Sequence, residues 1–102
     1  MYIFVFYVPE THLEIVKQAL FDQGAGKYGN YEACFWQVLG EGGFCPLENS
    51  HPFIGKTGMH EKVREYKVEI FCREKERESI LQAFFKVHPY EEPAYHFIPV
   101  EK

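Results

Sequence analysis

Positive charge is in short supply in this chain. Eleven Lys and Arg stand against fifteen Asp and Glu, giving a net charge of −4. An acidic chain lacks the cationic footprint that nucleic-acid binding rests on. It also lacks a basic amphipathic helix for lying on a membrane surface. Long apolar runs are equally scarce. The longest, Tyr2 to Val8, falls far short of the roughly 20 residues a membrane-spanning helix needs. No basic residue precedes it and no cleavage pattern follows it, so it does not read as a signal peptide. The three cysteines, Cys34, Cys45 and Cys72, form no CxxC pair. Free thiols in a reducing cytoplasm are the reading they support. A nucleophile elbow, a dinucleotide fingerprint and a Walker loop are all missing.

What the chain has in quantity is aromatic bulk. Phe, Tyr and Trp make up 18% of its 102 residues, with ten Phe and seven Tyr. That composition excludes a disordered chain. It also exceeds what a lone domain of this size readily hides, so part of it is expected in a subunit interface.

The pattern of these residues predicts a single domain over 1–102. Met1 to Val8 reads as a strand halted by Pro9. Both its faces are apolar, Tyr2, Phe4, Phe6 and Val8 on one and Ile3, Val5 and Tyr7 on the other. That marks a central strand covered on both sides. Thr11 and Glu14 form a capping-box pattern before a helix, with Leu13, Val16, Ala19 and Leu20 inward and Ile15 widening the stripe. Gly24 and Gly26 end it near Gln23. A second strand is expected over Tyr31–Leu39, and a long glycine-rich connection over Gly40–Gly58 with a short extra strand at Phe44–Leu47. Val63 to Cys72 is a third strand with a charged face. Glu74 to Val87 is a second helix, its charged start Arg73–Glu78 solvated, and Tyr95 to Val100 the last strand. The order βαβ-loop-βαβ predicts an α+β, ferredoxin-like sandwich, with a four-stranded antiparallel sheet and both helices on one face. The other face needs a cover, which an oligomer supplies.

Three stretches could carry chemistry. In the run His88-Pro89-Tyr90-Glu91-Glu92-Pro93 an imidazole, a phenol and two carboxylates lie between rigid prolines. That suits a metal or polar-ligand site, but His and Pro here are also ordinary helix-stop chemistry. The glycine run from Gly24 through Tyr31 follows a helix rather than preceding one. It is therefore a turn before it is an anion cradle, with a ligand-contacting backbone as the alternative. The long loop carries His51, Pro52, Phe53 and His60, and a loop of that length is usually functional or disordered. His51, His60, His88 and His96 could converge on a divalent metal, though no H-x₃-H or HExxH spacing supports it. The candidate ligand-binding residues are accordingly His88, Tyr90, Glu91, Glu92, Asn30 and His51.

Five ordered segments together resemble a known family. They are Val8-Pro9-Glu10, the Gly24-Ala25-Gly26 turn with Gly29-Asn30-Tyr31, Gly43-Phe44-x-Pro46, Pro52-Phe53-Ile54-Gly55, and His88 through Tyr95. They are similar to the domain inserted in the Nif-three-like dinuclear-metal-centre proteins, and the likeness spans essentially the whole chain. The resemblance implies a fold like that of the trimeric CutA and PII proteins, and a homotrimer. It places the family's two-metal site in flanking halves, so it carries no metal-ligating residue onto this chain.

Two functions follow. One is a non-enzymatic homo-oligomeric module that binds a small ligand or regulates a partner. The other is a metal-binding protein or metal-dependent hydrolase using His and Glu at subunit interfaces, with a divalent metal as its cofactor. The absence of a catalytic constellation favours the first.

Overall fold

A computed structural model describes residues 1–101. Strand β1 (Tyr2–Pro9) leads through a tight 3₁₀ turn (Glu10–His12) into helix α1 (Leu13–Asp22). Strands β2 (Trp36–Phe44) and β3 (Glu61–Cys72) follow, then a second 3₁₀ turn (Glu74–Glu76), helix α2 (Arg77–Val87) and strand β4 (Tyr95–Pro99). The sheet order is β2-β3-β1-β4 with every pair antiparallel. This is the ferredoxin-like arrangement expected from the element order.

The most apolar strand, β1, is central. Phe4, Phe6 and Val8 point into a core shared with Val68 and Ile70 of β3, Val16 and Leu20 of α1, and Ile80 and Phe84 of α2. The ring of Phe84 meets Phe4 edge-on at 5.2 Å, and Phe97 lies 4.8 Å from Phe4. Such ring pairs add roughly 0.5–1.5 kcal/mol each beyond the area they bury. No helix among the described residues is long and apolar enough to cross a membrane.

Several local expectations are corrected. The Thr11 hydroxyl bonds to Nδ1 of its neighbour His12 and caps nothing, because the 3₁₀ turn pushes the helix start to Leu13. Ile15 does not widen the buried stripe. It is 56% exposed, while Lys17 is 4% exposed. The Lys17 ammonium meets Glu14 at 3.2 Å and Gln37 at 3.0 Å, and lies 3.7 Å above the Phe35 ring. Its charge is thus compensated on three sides. Glu76, in the charged 3₁₀ turn that leads into α2, is buried rather than solvated, and its carboxylate accepts from the backbone and guanidinium of Arg73. Desolvation works against its charge, but the bonds from Arg73 outweigh it and hold the Glu76 carboxyl below the usual range.

Strand β2 is the largest revision. It begins at Trp36, not Tyr31, because Tyr28 and Tyr31 close a small turn and Ala33 adopts a left-handed conformation. It then runs through Gly40, Gly42 and Gly43 to Phe44, in register with β3 down to Glu61. The irregular connection is therefore 45–60, and no extra strand forms at Phe44–Leu47.

The face of the sheet opposite the helices carries Ile3, Val5 and Tyr7 of β1. Beside them lie Phe71, Glu69 and Lys67 of β3, Ile98 and His96 of β4, and Trp36 and Val38 of β2. Within one chain this face is open at its margins, although Val5 at its centre is buried by its neighbours. Trp36, Val38 and Ile98 are 57%, 44% and 43% exposed.

Candidate functional site

Two irregular segments meet at the end of the sheet where β1 finishes. They are the connection 45–60 and the turn 88–94 between α2 and β4. The helix stops because Pro89 disfavours helical geometry in the residue before it, and His88 is extended, with φ −68° and ψ 134°. Its imidazole nonetheless folds inward and is buried. Nε2–H donates to the Tyr7 carbonyl oxygen at 2.7 Å, and Nδ1 accepts from the Tyr90 backbone N–H at 3.1 Å. A carbonyl only accepts and an amide N–H only donates, so the neighbours fix a neutral ring protonated on Nε2. Burial pushes the His88 pKa below its ordinary value.

Two residues on, Tyr90 faces the cavity described below. The Tyr90 hydroxyl donates to Oε2 of Glu65 on β3 at 2.7 Å. Burial first, then the Glu65 bond and charge, raise its pKa, so the phenol stays protonated. Glu65 fits against β2 because position 42 is glycine. A Cβ there would overlap the carboxylate. Glu91 accepts from the His51 backbone N–H at 3.1 Å, which ties the turn to the connection.

Between these segments lies a cavity of about 660 Å³, within the size range of small-molecule sites. The rings of Tyr7, Phe44, Phe53 and Tyr90 form much of its wall, and Glu41, Glu65, Glu91 and Glu92 line it as well. Phe44 and Phe53 lie 6.3 and 6.5 Å from Tyr90 by ring centroids.

Of the six residues singled out from the sequence, Tyr90, Glu91 and Glu92 line this cavity. His88 sits behind the wall and holds it. His51 contributes its backbone N–H, while its side chain is exposed and outside the lining. Asn30 is elsewhere, in the exposed Tyr28–Tyr31 turn beside Phe71 at the opposite end of the sheet. His60 is exposed ahead of β3, and His96 lies on the open sheet face. Among the described residues, no three His, Cys, Asp or Glu side chains are placed to share a metal ion.

Tyr7, Glu41, Phe44 and Glu65 were not singled out from the sequence. For Tyr7 a signal existed in the apolar second face of the first strand. Glu65 had none, since alternation on a strand cannot show that a tyrosine 25 residues later will bond to it.

Three of the five stretches that resemble a known family, at 43–46, 52–55 and 88–95, contribute to the cavity walls, and the comparisons agree with the resemblance. A GTP cyclohydrolase 1 type 2 homolog of Halalkalibacterium halodurans is 44% identical over 100 residues, covering 98% of this chain and 27% of that protein. The chain is a homologue of the domain inserted in the Nif-three-like proteins. The Bacillus subtilis GTP cyclohydrolase 1 type 2 homolog is 41% identical over 96 residues, 94% of this chain and 26% of its own length. A solved Bacillus cereus protein related to NIF3 superposes with a TM-score of 0.83 at 36% identity, covering 99% of this chain and 26% of that one. This chain thus spans about a quarter of the length of the Nif-three-like relatives it matches. The PII-like protein CutA from a Nostoc species shares the fold, with a TM-score of 0.69 at 18% identity over 99% of this chain and 82% of that one. No protein-family model matches the chain.

Proposed function

We propose that this Nif-three-like domain is a non-enzymatic homo-oligomeric module that holds a small ligand in the cavity between the connection 45–60 and the turn 88–94. The carrying observation is the preformed aromatic cavity, its wall fixed before any ligand arrives. Two prolines stiffen the turn, His88 ties it to β1, and Glu91 ties it to the connection. A wall ordered in advance lowers the entropic cost of binding. The activity in the name of the curated relatives belongs to proteins about four times as long, and is not carried over.

Assembly as a homotrimer is the second half of the proposal. The open sheet face exposes Trp36, Val38 and Ile98 around a core of Ile3, Val5 and Phe71. Its central charges, Lys67 and Glu69, already lie 3.8 Å apart. A second sheet can therefore cover them without burying an unpaired charge, the costly case. Native mass spectrometry of untagged protein tests both halves. The expected species is three chains plus a retained small molecule. A bare single chain overturns the reading.

A further inference from the structure

We propose that the ligand of this cavity is an organic ammonium ion, an amine or quaternary ammonium carrying an apolar group; this rests on the reading of the cavity as a ligand site. The charge of the walls leads to it. Glu41, Glu65, Glu91 and Glu92 line the space, and no Lys, Arg or His does among the described residues. Among the described residues, none of the four carboxylates is in an ion pair. The lysine that pairs with Tyr7 across the strands, Lys67, is 3.8 Å from Glu69 instead. An anion entering this space meets like charge on several sides, which repels it. Nucleotides and other phosphate ligands are therefore disfavoured.

The rings select among cations. Phe44, Phe53 and Tyr90 enclose a common space with centroids 6.3 to 6.5 Å from Tyr90. Ring faces carry the negative lobe of the aromatic quadrupole and attract weakly hydrated ammonium groups. A hard metal ion would have to trade its water for such walls. The carboxylates do not converge to replace that water, since Glu65 is committed to the Tyr90 hydroxyl and Glu91 to the His51 N–H. An alkylated or arylalkyl ammonium needs no such convergence. Its charge sits among rings and dispersed carboxylates, and its apolar part fills the side formed by Pro46, Leu47 and Ile54.

The test uses three probes of one shape class, the benzyltrimethylammonium ion, neutral benzyl alcohol and benzoate, titrated into the native protein with amide signals followed by NMR. The expected result is that the ammonium ion shifts signals of residues 44–54 and 90–94 and binds at least about tenfold more tightly than benzyl alcohol, the scale of one desolvated cation–π contact. Benzoate shifts none of them. Phe53→Leu, at a half-exposed position, keeps apolar bulk without a ring. It should weaken the ammonium ion severalfold and leave benzyl alcohol unchanged. If benzyl alcohol or benzoate binds these segments as well as the cation, the ammonium inference fails and the cavity stands as a ligand site. If no probe shifts them, and they are protected only in the oligomer, both fail. A second copy of the chain then fills the groove.

Discussion

The Nε2–H of His88 donates to the carbonyl oxygen of Tyr7, a residue 81 positions earlier, at 2.7 Å. The imidazole is neutral there, and protonating Nδ1 would set a proton against the Tyr90 N–H. The unfolded chain, with an ordinary histidine near 6.5, therefore takes up this proton first as pH falls. Stability from His88 is complete above that value and is lost as the pH drops from it through the lower folded pKa. Melting temperature should fall on acidification below about pH 6.5, and His88→Gln should flatten that slope. A wild-type melt unchanged over the window contradicts the assignment.

Leu20 and Ile15 make a matched pair on α1. Leu20 is fully buried and Ile15 is 56% exposed. Leu20→Ala should cost about 2–5 kcal/mol, the usual range for a large core deletion. Ile15→Ala should cost within about 0.5 kcal/mol, as surface changes do. Urea midpoints of the two variants measure the difference.

Gly42→Ala should displace the Glu65 carboxylate and break its bond with Tyr90. A lost hydrogen bond of this kind costs about 1–3 kcal/mol when it strands a polar group. The Tyr90 phenol should also titrate lower, since the Glu65 bond and charge both raise it. Selectively labelled tyrosine, followed by NMR through alkaline pH, reads this directly. An unmoved Tyr90 titration would show that Glu65 keeps its place.

The one tryptophan reports on assembly. Trp36 lies on the open sheet face of the edge strand β2 and is 57% exposed. Light scattering should give three times the 12.0 kDa chain mass. Trp36→Glu should dissociate the oligomer while leaving the helical circular dichroism intact. Dilution of the wild type should red-shift tryptophan emission as the side chain meets water. A monomer at micromolar concentration refutes the assembly.

The parts of the fold legible in the sequence were those set by local pattern. Two apolar faces on Tyr2–Val8 placed β1 at the sheet centre, and the spacing of Ile80 and Phe84 gave the inward face of α2. Strand β2 departs from its sequence pattern because Gly40, Gly42 and Gly43 carry turn signals, whereas their hydrogen bonds come from β3. No local propensity reports a partner strand. Glu76 was read as solvated because its neighbours are charged. Its burial depends on Arg73 reaching back to it. At the cavity, the His88–Glu92 run stood out as unusual, and three of its members do face the space. The role of His88 was hidden, because a helix-stop histidine and a buried tie look the same until the Tyr7 carbonyl is placed opposite it. Asn30 lies in a turn at the opposite end of the sheet, a separation that local spacing does not show.

One imidazole is shared by the end of α2, the central strand and the cavity wall. Helix ends ordinarily fray at little cost. Here the last turn, closed by the His88 N–H to the Phe84 carbonyl at 2.9 Å, cannot unwind without withdrawing His88 from Tyr7 and releasing Tyr90. Displacing this wall is therefore a partial melting of α2 rather than the swing of a loop. Its frequency is set by core packing around Phe84, and deuterium uptake at the His88 and Tyr90 amides keeps its time.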